Sequence, residues 1–349
     1  MKKFIIIAAA TACLCAACGK NVTVGSNDAA KRLFDAWVHV GKQDYPEYLW
    51  KQTTLGSWIL EEEEGAGAAL ESFDDSLYVR VDYTFTDQYN VISSSTDVRV
   101  VQQLGTYDET GYYGTETWYA NGLTAGVKEA LKGMKRGGRK MIVIPGWLQT
   151  YNSYDTEAEY LAQKSDDIGT TVIADIRLDD YFLGIQQWGA DSVGRYLTAR
   201  YPSVYGTYPA KAAADSSGTF GFWYIRTGAP ENENEIKDST VYINYIGRLL
   251  NGQVFDTTIR DTAIRYGLSR DKTYEPVSIT YSDTWSKITM GSESTTVISG
   301  FARTLSKMRA GEKGTGIFIS SLGYGYRGSG VSIPAYSPLR FDVELVAKP

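Results

Sequence analysis

The sequence predicts an α+β protein that contains two copies of one domain. Short segments recur at offsets that stay constant and then change, as strands and helices joined by loops of different length produce. Gly56–Leu60 matches 221–225 at an offset of 165, and Asp175–Leu178 matches 342–345 at an offset of 167. Each copy also combines alternating, strand-like segments with one segment of helical spacing. This combination favours an antiparallel sheet packed on a short helix.

The elements of the two copies correspond in order. Alternation of apolar and polar residues predicts a half-buried strand near the start of each copy, and a short apolar run predicts a central strand later. Between them, apolar residues spaced three or four apart predict one short helix. The strands are 77–83 and 241–245, the apolar runs are 141–144 and 316–319, and the helices are 126–134 and 300–308.

A helical segment is expected ahead of each copy. Leu33, Phe34, Trp37 and Val40 share one face of the first, which we expect to end at Gly41. Asp191 is the expected cap of the second, and the sequence does not decide what either helix packs on. The predicted organisation is a leader over 1–17, a helical lead over 18–55, domain 1 over 56–182, a helix and linker over 183–217, and domain 2 over 218–349.

The first residues have the pattern of an export signal. Lys2 and Lys3 precede an apolar run over 4–12, which is too short to span a membrane. The run ends in Cys15-Ala-Ala-Cys18, which resembles a bacterial lipoprotein signal, although Cys15 stands where leucine is usual. The resemblance implies that Cys18 becomes a lipidated N-terminus. A plain secretory signal is the alternative.

Composition narrows the possible chemistry. The net charge of −6 argues against binding to nucleic acid or to a membrane through a basic patch. His39 is the single histidine, and cleavage before Cys18 would remove the other two of the three cysteines. Histidine-dependent hydrolysis, zinc chemistry and thiol redox chemistry are therefore not expected. We expect neither a metal nor a cofactor.

Five segments near the C-terminus point to a family. They are Tyr245-Ile-Gly-Arg-Leu-Leu-Asn-Gly-Gln-Val-Phe-Asp-Thr, Val297-Ile-Ser-Gly-Phe, Met308-Arg-Ala-Gly-Glu-Lys, Tyr324-Gly-Tyr-Arg-Gly and Phe341-Asp-Val-Glu-Leu. In this order they resemble the FKBP-type peptidyl-prolyl cis–trans isomerases. The resemblance implies two FKBP-like domains, each a twisted antiparallel β-sheet wrapped around one short helix.

The resemblance also implies the site residues. The aromatic pocket of the family takes the proline ring, and its walls, floor, polar group and substrate-bonding tyrosine have counterparts in the second copy. The counterparts are Tyr245, Phe255 and Phe341 as walls, Phe301 as floor, Asp256 as the polar residue, Val297 and Ile298 at the start of the helix, Tyr324 as the hydroxyl donor, and Ile333 in the flap. The backbone N–H of Ile298 would bond a substrate carbonyl.

Some positions depart from the family pattern. Ser332 stands beside Ile333 where two apolar residues are usual, and an aromatic residue is missing between Phe255 and Val297, where Val277 is the nearest counterpart. In the first copy, small or polar residues occupy the pocket positions. Ser93-Ser94 corresponds to Phe255-Asp256, Val127 to Phe301 and Ala174 to Phe341. Thr150 corresponds to Tyr324, unless a shift of the loop by one residue brings Tyr151 there. Tyr83 is the pocket residue that is expected to persist.

These features together predict a prolyl isomerase that assists the folding of extracytoplasmic proteins through its second domain. The expected partners are proline-containing polypeptides and, through Cys18, a bacterial membrane. Gly19 after Cys18 favours the outer membrane, and the lack of an acidic cluster after Cys18 favours its periplasmic side. The alternative is a non-catalytic chaperone or assembly factor that keeps the fold. The sequence leaves the clients, the residue preferred before proline and the oligomeric state open.

Overall fold

A computed structural model describes residues 26–150, 158–159, 169–205, 218–231, 236, 240–268 and 272–349. The chain forms two compact units. The first comprises Met1–Thr106 and Tyr113–Leu183, and the second comprises Tyr107–Tyr112 and Gly184–Pro349. Cys18 and most of the linker predicted within 183–217 lie outside the described residues. Among the described helices, none has the length and apolar character that a membrane span requires.

The first unit begins with a helix and continues as a sheet. Its helices are α1 (Ser26–Asp44), α2 (Val98–Gln103) and α3 (Ala125–Leu131). Its strands are β1 (Lys51–Gln52), β2 (Trp58–Glu63), β3 (Ala66–Ala69), β4 (Leu77–Asp87), β5 (Ile92–Ser95), β6 (Glu116–Tyr119), β7 (Lys135–Arg136), β8 (Arg139–Ile144) and β9 (Val172–Leu183). Short 3-10 turns occupy Ala120–Gly122 and Gly146–Leu148.

The main sheet of this unit is antiparallel, with strand order β1-β2-β8-β9-β4-β5, and β6 also pairs with β4. Alternate residues of β4, namely Leu77, Val79 and Val81, point into the core. Leu131 of α3 is fully buried against this face, in one cluster with Ile142 and other apolar residues of the central strands. The hydrophobic effect therefore fixes α3 on one side of the sheet.

The second unit has more short elements. Its helices are α4 (Ile185–Arg200), α5 (Pro202–Tyr205), α6 (Arg260–Arg265) and α7 (Ser299–Lys307). Its strands are β10 (Phe222–Gly228), β11 (Thr240–Leu249), β12 (Val254–Thr257), β13 (Val277–Thr280), β14 (Thr289–Met290), β15 (Thr295–Thr296), β16 (Lys313–Phe318) and β17 (Leu339–Val346). Short 3-10 turns occupy Trp285–Lys287, Ser320–Leu322 and Gly325–Arg327.

The sheet of the second unit repeats the plan of the first. Its order is β10-β16-β17-β11-β13-β14-β15, with β12 also paired to β11, and these strand pairs are antiparallel. The common part runs β2-β8-β9-β4-β6 in one unit and β10-β16-β17-β11-β13 in the other. The predicted α+β class and the duplication of an antiparallel sheet with a short helix are confirmed.

The second sheet is buried on both faces. On one face, Phe222 and Phe318 belong to the cluster that includes Phe301 of α7. On the other face, the neighbouring residues Trp223 and Ile317 pack in a separate cluster with α4. This division follows from strand geometry, because successive side chains point to opposite faces.

Each leading helix packs on its own unit, which the sequence left open. Phe34 and Val38 of α1 belong to the core of the first unit, and the Phe34 and Trp147 ring centroids are 5.2 Å apart. Val193 and Leu197 of α4 are fully buried in the second unit. The helices therefore cover apolar sheet surface that water would otherwise contact.

Three details of these helices differ from the prediction. Leu33 is 56% exposed, and Val38 is buried in its place, so the apolar face of α1 is rotated. The helix continues past Gly41 to Asp44, with the Gly41 carbonyl accepting from Tyr45 N at 2.9 Å. Asp191 lies inside α4, where it accepts from Gln187, and the helix begins after Gly184. Tertiary packing outweighed the local end signals.

Candidate active site

Four aromatic rings of the second unit converge between its sheet and α7. Tyr245 comes from β11, Phe255 from β12, Phe301 from α7 and Phe341 from β17. Ring centroids are 5.4 Å apart for Tyr245 and Phe301, and 4.7 Å apart for Phe301 and Phe341. Phe255 meets Phe341 edge-on at 5.6 Å. The structure thus brings all four predicted aromatic residues into one cluster, with the tilted and edge-on geometries that ring quadrupoles favour.

Gly247 makes room for this arrangement. It pairs with Phe341 on one side and with Asp256 on the other. A Cβ atom at Gly247 would lie 2.5 Å from Cε2 of Phe255, closer than real side chains approach, and 3.1 Å from Cε1 of Phe341, which is a tight contact. Any larger residue would therefore displace a pocket ring. The two rings are recognisable from the sequence, whereas the role of the glycine between them depends on strand pairing.

A polar group lies at the edge of the rings. The Tyr245 hydroxyl donates to Asp256, whose other carboxylate oxygen accepts from the backbone N–H of Thr257 at 3.0 Å and pairs with Lys272 at 2.9 Å. Burial, followed by the negative charge of Asp256, raises the pKa of Tyr245. The same two causes, in the same order, raise the pKa of the Tyr324 hydroxyl. Both hydroxyls therefore stay protonated, and able to donate, at neutral pH.

The flap, residues 323–338, follows the turn Ser320–Leu322. The backbones of Ser329 and Ile333 exchange two hydrogen bonds, of 2.8 and 3.1 Å, and Tyr336 N donates to Gly325 O at 2.8 Å. Ile333 points inward and is 4% exposed, whereas Val331 is 63% exposed. Tyr324, near the start of the flap, is 37% exposed. Of the departures noted in the sequence, Ser332 is half-buried beside Ile333.

Val297 and Ile298 lead into α7. Both are half-buried against the aromatic cluster, and the Ile298 carbonyl accepts from Ala302 N at 3.0 Å. Ile298 has extended backbone angles, φ −59° and ψ 144°. Among the described residues, no group accepts a hydrogen bond from its N–H. This amide is suited to a carbonyl of a bound peptide.

The region between Phe255 and Val297 supplies aromatic residues that the sequence analysis did not assign. Tyr281 is 1% exposed within the same cluster, and Trp285 packs against it with the Arg303 guanidinium 4.2 Å from its ring. Val277, the expected counterpart of the missing aromatic residue, lies in β13 opposite Ile243 and is half-buried. Behind the pocket, the fully buried Phe318 stacks on Phe341 at 5.8 Å.

Comparison with known proteins assigns the unit that contains this cluster. Residues 231–346 match the family model described as FKBP-type peptidyl-prolyl cis-trans isomerase. The second unit contains an FKBP-type domain. The resemblance seen in the sequence is thereby confirmed for this part of the chain, which includes all nine predicted site residues.

Several known proteins match this chain over 105–110 residues. The chain is 36% identical over 108 residues to the peptidyl-prolyl cis-trans isomerase FKBP11 of Bos taurus, covering 31% of this chain and 41% of that protein. It is 32% identical over 110 residues to the macrophage infectivity potentiator of Trypanosoma cruzi, covering 32% and 43%. It is 36% identical over 105 residues to FK506-binding protein 2 of Dictyostelium discoideum, covering 30% and 61%. The chain spans less than two thirds of each of these relatives.

Solved structures give only low similarity scores. FkpA from Escherichia coli is 25% identical with a TM-score of 0.30, covering 46% of this chain and 62% of that one. The three FKBP domains of wheat FKBP73 are 16% identical with a TM-score of 0.28, covering 83% of this chain and 93% of that one.

The first unit places different residues at the equivalent positions. Phe85 pairs with Ser94 and Ala174, as Gly247 of the FKBP domain pairs with Asp256 and Phe341. The register thus agrees with the predicted correspondence of Ala174 to Phe341 and of Ser94 to Asp256. Phe85 therefore stands where the FKBP domain has Gly247.

Two further aromatic rings lie beside Tyr83 in the first unit. The Tyr83 ring centroid lies 4.8 Å from that of Phe85 and 4.9 Å from that of Trp118, so three rings gather there. Neither Phe85 nor Trp118 stands at a position matched to a pocket residue in the sequence. Both Tyr83 and Trp118 donate to the Glu116 carboxylate, at 3.3 and 3.1 Å. The space opened by small residues is filled from neighbouring strand positions, because protein interiors do not leave large voids.

Proposed function

We propose that the second unit catalyses cis–trans isomerisation of Xaa-Pro peptide bonds. The observation that carries the proposal is the convergence of Tyr245, Phe255, Phe301 and Phe341 within the residues that match the family model. The tertiary amide of an Xaa-Pro bond rotates over a barrier of about 18–20 kcal/mol and isomerises slowly unaided. A pocket that binds the twisted amide better than the planar one lowers this barrier.

The site offers the parts for this differential binding. Planar amide resonance makes the ground state more dipolar than the twisted state, so surroundings made of aromatic rings disfavour the ground state. Tyr324 and the Ile298 amide can donate to carbonyls that flank the rotating bond. The mechanism needs no proton transfer from the protein, which agrees with tyrosine hydroxyls that stay protonated. Val297 and Ile333 would complete the apolar lining beside the flap.

A second candidate is a binding protein without useful turnover. Two departures from the family pattern favour it, since Ser332 is half-buried beside Ile333 and Val277 stands where an aromatic residue is usual. Such a protein would hold proline-containing segments of clients and would not speed their isomerisation. Both kinds of protein would bind Xaa-Pro segments, but only the isomerase would accelerate their cis–trans isomerisation.

The deciding experiment is a protease-coupled isomerisation assay on an Xaa-Pro peptide with the intact chain. The fragment 218–349 is a poor substitute, because the second unit also includes Tyr107–Tyr112 and α4. We expect acceleration above the uncatalysed rate. Peptide binding without acceleration would support the binding protein and reject the isomerase.

For location and partners, we propose a lipid-anchored protein of a bacterial outer membrane that faces the periplasm and acts on proline-containing clients there. The support is the Cys15-Ala-Ala-Cys18 pattern and Gly19 in the sequence. We expect Cys18→Ala to leave the protein unprocessed or soluble, because the lipid attachment atom is lost. Metabolic labelling with a fatty acid and membrane fractionation measure this. Lipid-labelled protein of mature size from the variant would reject the anchor.

A further inference from the structure

A segment from elsewhere in the chain belongs to the second unit. Tyr107–Tyr112 follows α2 and precedes β6 in the sequence, yet it clusters with the FKBP domain. We refer to these six residues as the strap. These residues form neither helix nor strand, so they add no element to the sheet or to the helices of the second unit. The role inferred for the strap is regulation of the proposed isomerase site, and it rests on that proposed function.

Hydrogen bonds tie the strap to two loops beside the aromatic pocket. The Gln253 side-chain amide donates to the carbonyl oxygens of Thr110 and Gly111, each at 3.0 Å. The backbone N–H of Tyr112 donates to the Val331 carbonyl at 2.8 Å. Gln253 stands two residues before Phe255, a pocket wall. Val331 stands two residues before Ile333 in the flap, so the strap links both walls.

Packing adds to these bonds. Tyr112 is half-buried and packs against the hydrophobic cluster that contains the pocket rings and Ile333. Gly111 is buried. A third loop is also in contact, because a Cβ atom at Gly267 would lie 3.1 Å from Cβ of Glu109. The strap therefore follows the surface of the domain at the pocket rim.

Three rings of the pocket are almost fully buried. Tyr245 is 6%, Phe301 3% and Phe341 5% exposed. A prolyl ring that is to lie against these three rings needs apolar surface that it can contact. The strap packs on the same cluster through Tyr112, so movement of the strap would expose more of that surface.

We propose that the strap is a gate that holds the pocket of the second unit closed, and that substrate binds after the strap has moved away. Apparent affinity then falls in proportion to the fraction of open molecules. Each hydrogen bond that favours the closed state shifts this fraction by roughly two- to tenfold. Weakening the strap should therefore increase activity toward small peptides.

Two variants of the full chain test the gate. Gln253→Leu removes both side-chain donors at similar size, and Tyr112→Ala removes the ring while keeping the backbone N–H. For each we expect kcat/KM on an Xaa-Pro peptide to rise roughly two- to tenfold, mainly through a lower KM. Gln187→Leu is the matched control, because Gln187 is exposed on α4. It should leave kcat/KM unchanged.

Hydrogen exchange gives a readout that a merely structural role would not change. The Tyr112 amide is protected by its bond to Val331, and a saturating proline peptide should reduce that protection. The amide of Ile317, inside β16, serves as the internal reference and should stay protected.

The outcomes separate the two proposals. Unchanged or lower kcat/KM in both variants, with melting temperatures like that of the parent chain, would overturn the gate. Unchanged Tyr112 protection on peptide binding would overturn it too. If the parent chain and both variants bind peptide without accelerating isomerisation, the isomerase proposal fails. Loss of Tyr112 protection in that same experiment would still support the gate.

Discussion

Tyr324 shows how a single side chain carries part of the proposed chemistry. The residue is partly exposed, and burial, followed by the negative charge of Asp256, raises the pKa of its hydroxyl. The hydroxyl therefore stays protonated, and able to donate a hydrogen bond, over the pH range in which most proteins are stable. The ring itself packs at the start of the flap, so ring and hydroxyl can be tested separately.

We expect Tyr324→Phe to lower kcat/KM roughly two- to tenfold at unchanged melting temperature. The variant keeps the ring and removes one neutral hydrogen bond, which contributes about 0.5–1.5 kcal/mol. The assay is isomerisation of an Xaa-Pro peptide, with thermal melting beside it. Tyr326→Phe is the control, since Tyr326 is 64% exposed in the same flap. Equal kcat/KM for Tyr324→Phe and the parent chain would assign Tyr324 to packing alone.

Gly247 is the residue whose role depends most on tertiary contacts. Gly247→Ala forces the Phe255 or Phe341 ring to move, and overpacking of this kind costs about 1–3 kcal/mol. We expect lower thermal stability and lower kcat/KM together. Gly122→Ala is the control, because its new methyl group would have a nearest contact of 3.7 Å. If Gly247→Ala had the melting temperature and the kcat/KM of the parent chain, the close contacts inferred for a side chain at this position would be wrong.

At the scale of elements, each face of the second sheet has its own helix. α7 lies against the aromatic cluster and contributes its floor, Phe301, while α4 lies on the opposite face against Trp223 and Ile317. Stability contributed by α4 should therefore be separable from the chemistry of the pocket. The alternation of β10 and β16 places adjacent residues in different clusters.

Leu197→Ala tests this separation. Leu197 is fully buried, and truncation to alanine leaves a cavity that costs about 2–5 kcal/mol. We expect a clearly lower free energy of unfolding in denaturant titration. Below the unfolding transition, kcat/KM should match that of the parent chain. Leu183→Ala, at a position that is 61% exposed, should change neither quantity. A large fall in kcat/KM of folded Leu197→Ala would show that the two faces are coupled.

At the scale of the whole molecule, the two units share one sheet topology but have different residues in their interiors. The same strand register carries Gly247 and Phe341 in the second unit but Phe85 and Ala174 in the first. In the second unit the large residue of this pair is Phe341 on β17. In the first unit it is Phe85, on β4, and its partner on β9 is small. We propose that the first unit has no prolyl isomerase site, because Phe85 and Trp118 occupy the space around Tyr83.

Phe255→Ser tests the division of labour in the full chain. It gives the second unit the residue that the first has at Ser93. Loss of an apolar wall should lower the isomerase activity of the whole chain roughly tenfold or more. The reciprocal Ser93→Phe, at an exposed position, should leave activity unchanged. Near-parental activity of a folded Phe255→Ser chain would mean that the first unit contributes catalysis.

The sequence by itself determined the duplication, the α+β class and the group of aromatic residues in the second copy. The duplication and the class follow from patterns that local physics imposes, namely alternation in strands and helical spacing, repeated at constant offsets. The aromatic residues follow from the resemblance to the FKBP family. The aromatic residues of the FKBP motif could be named because each lies beside recognisable neighbours in the chain. Tyr245 and Phe341 are examples, and both lie in the predicted cluster.

Only the tertiary structure decided how the space around those residues is filled. Phe85 and Trp118 replace the missing rings of the first unit, and Gly247 makes room for two rings of the second, through pairing between strands distant in sequence. The strap is the extreme case, since Gln253 bonds a carbonyl 143 residues away. Local patterns constrain near neighbours, whereas close packing and hydrogen bonding to backbone carbonyls depend on where distant segments meet.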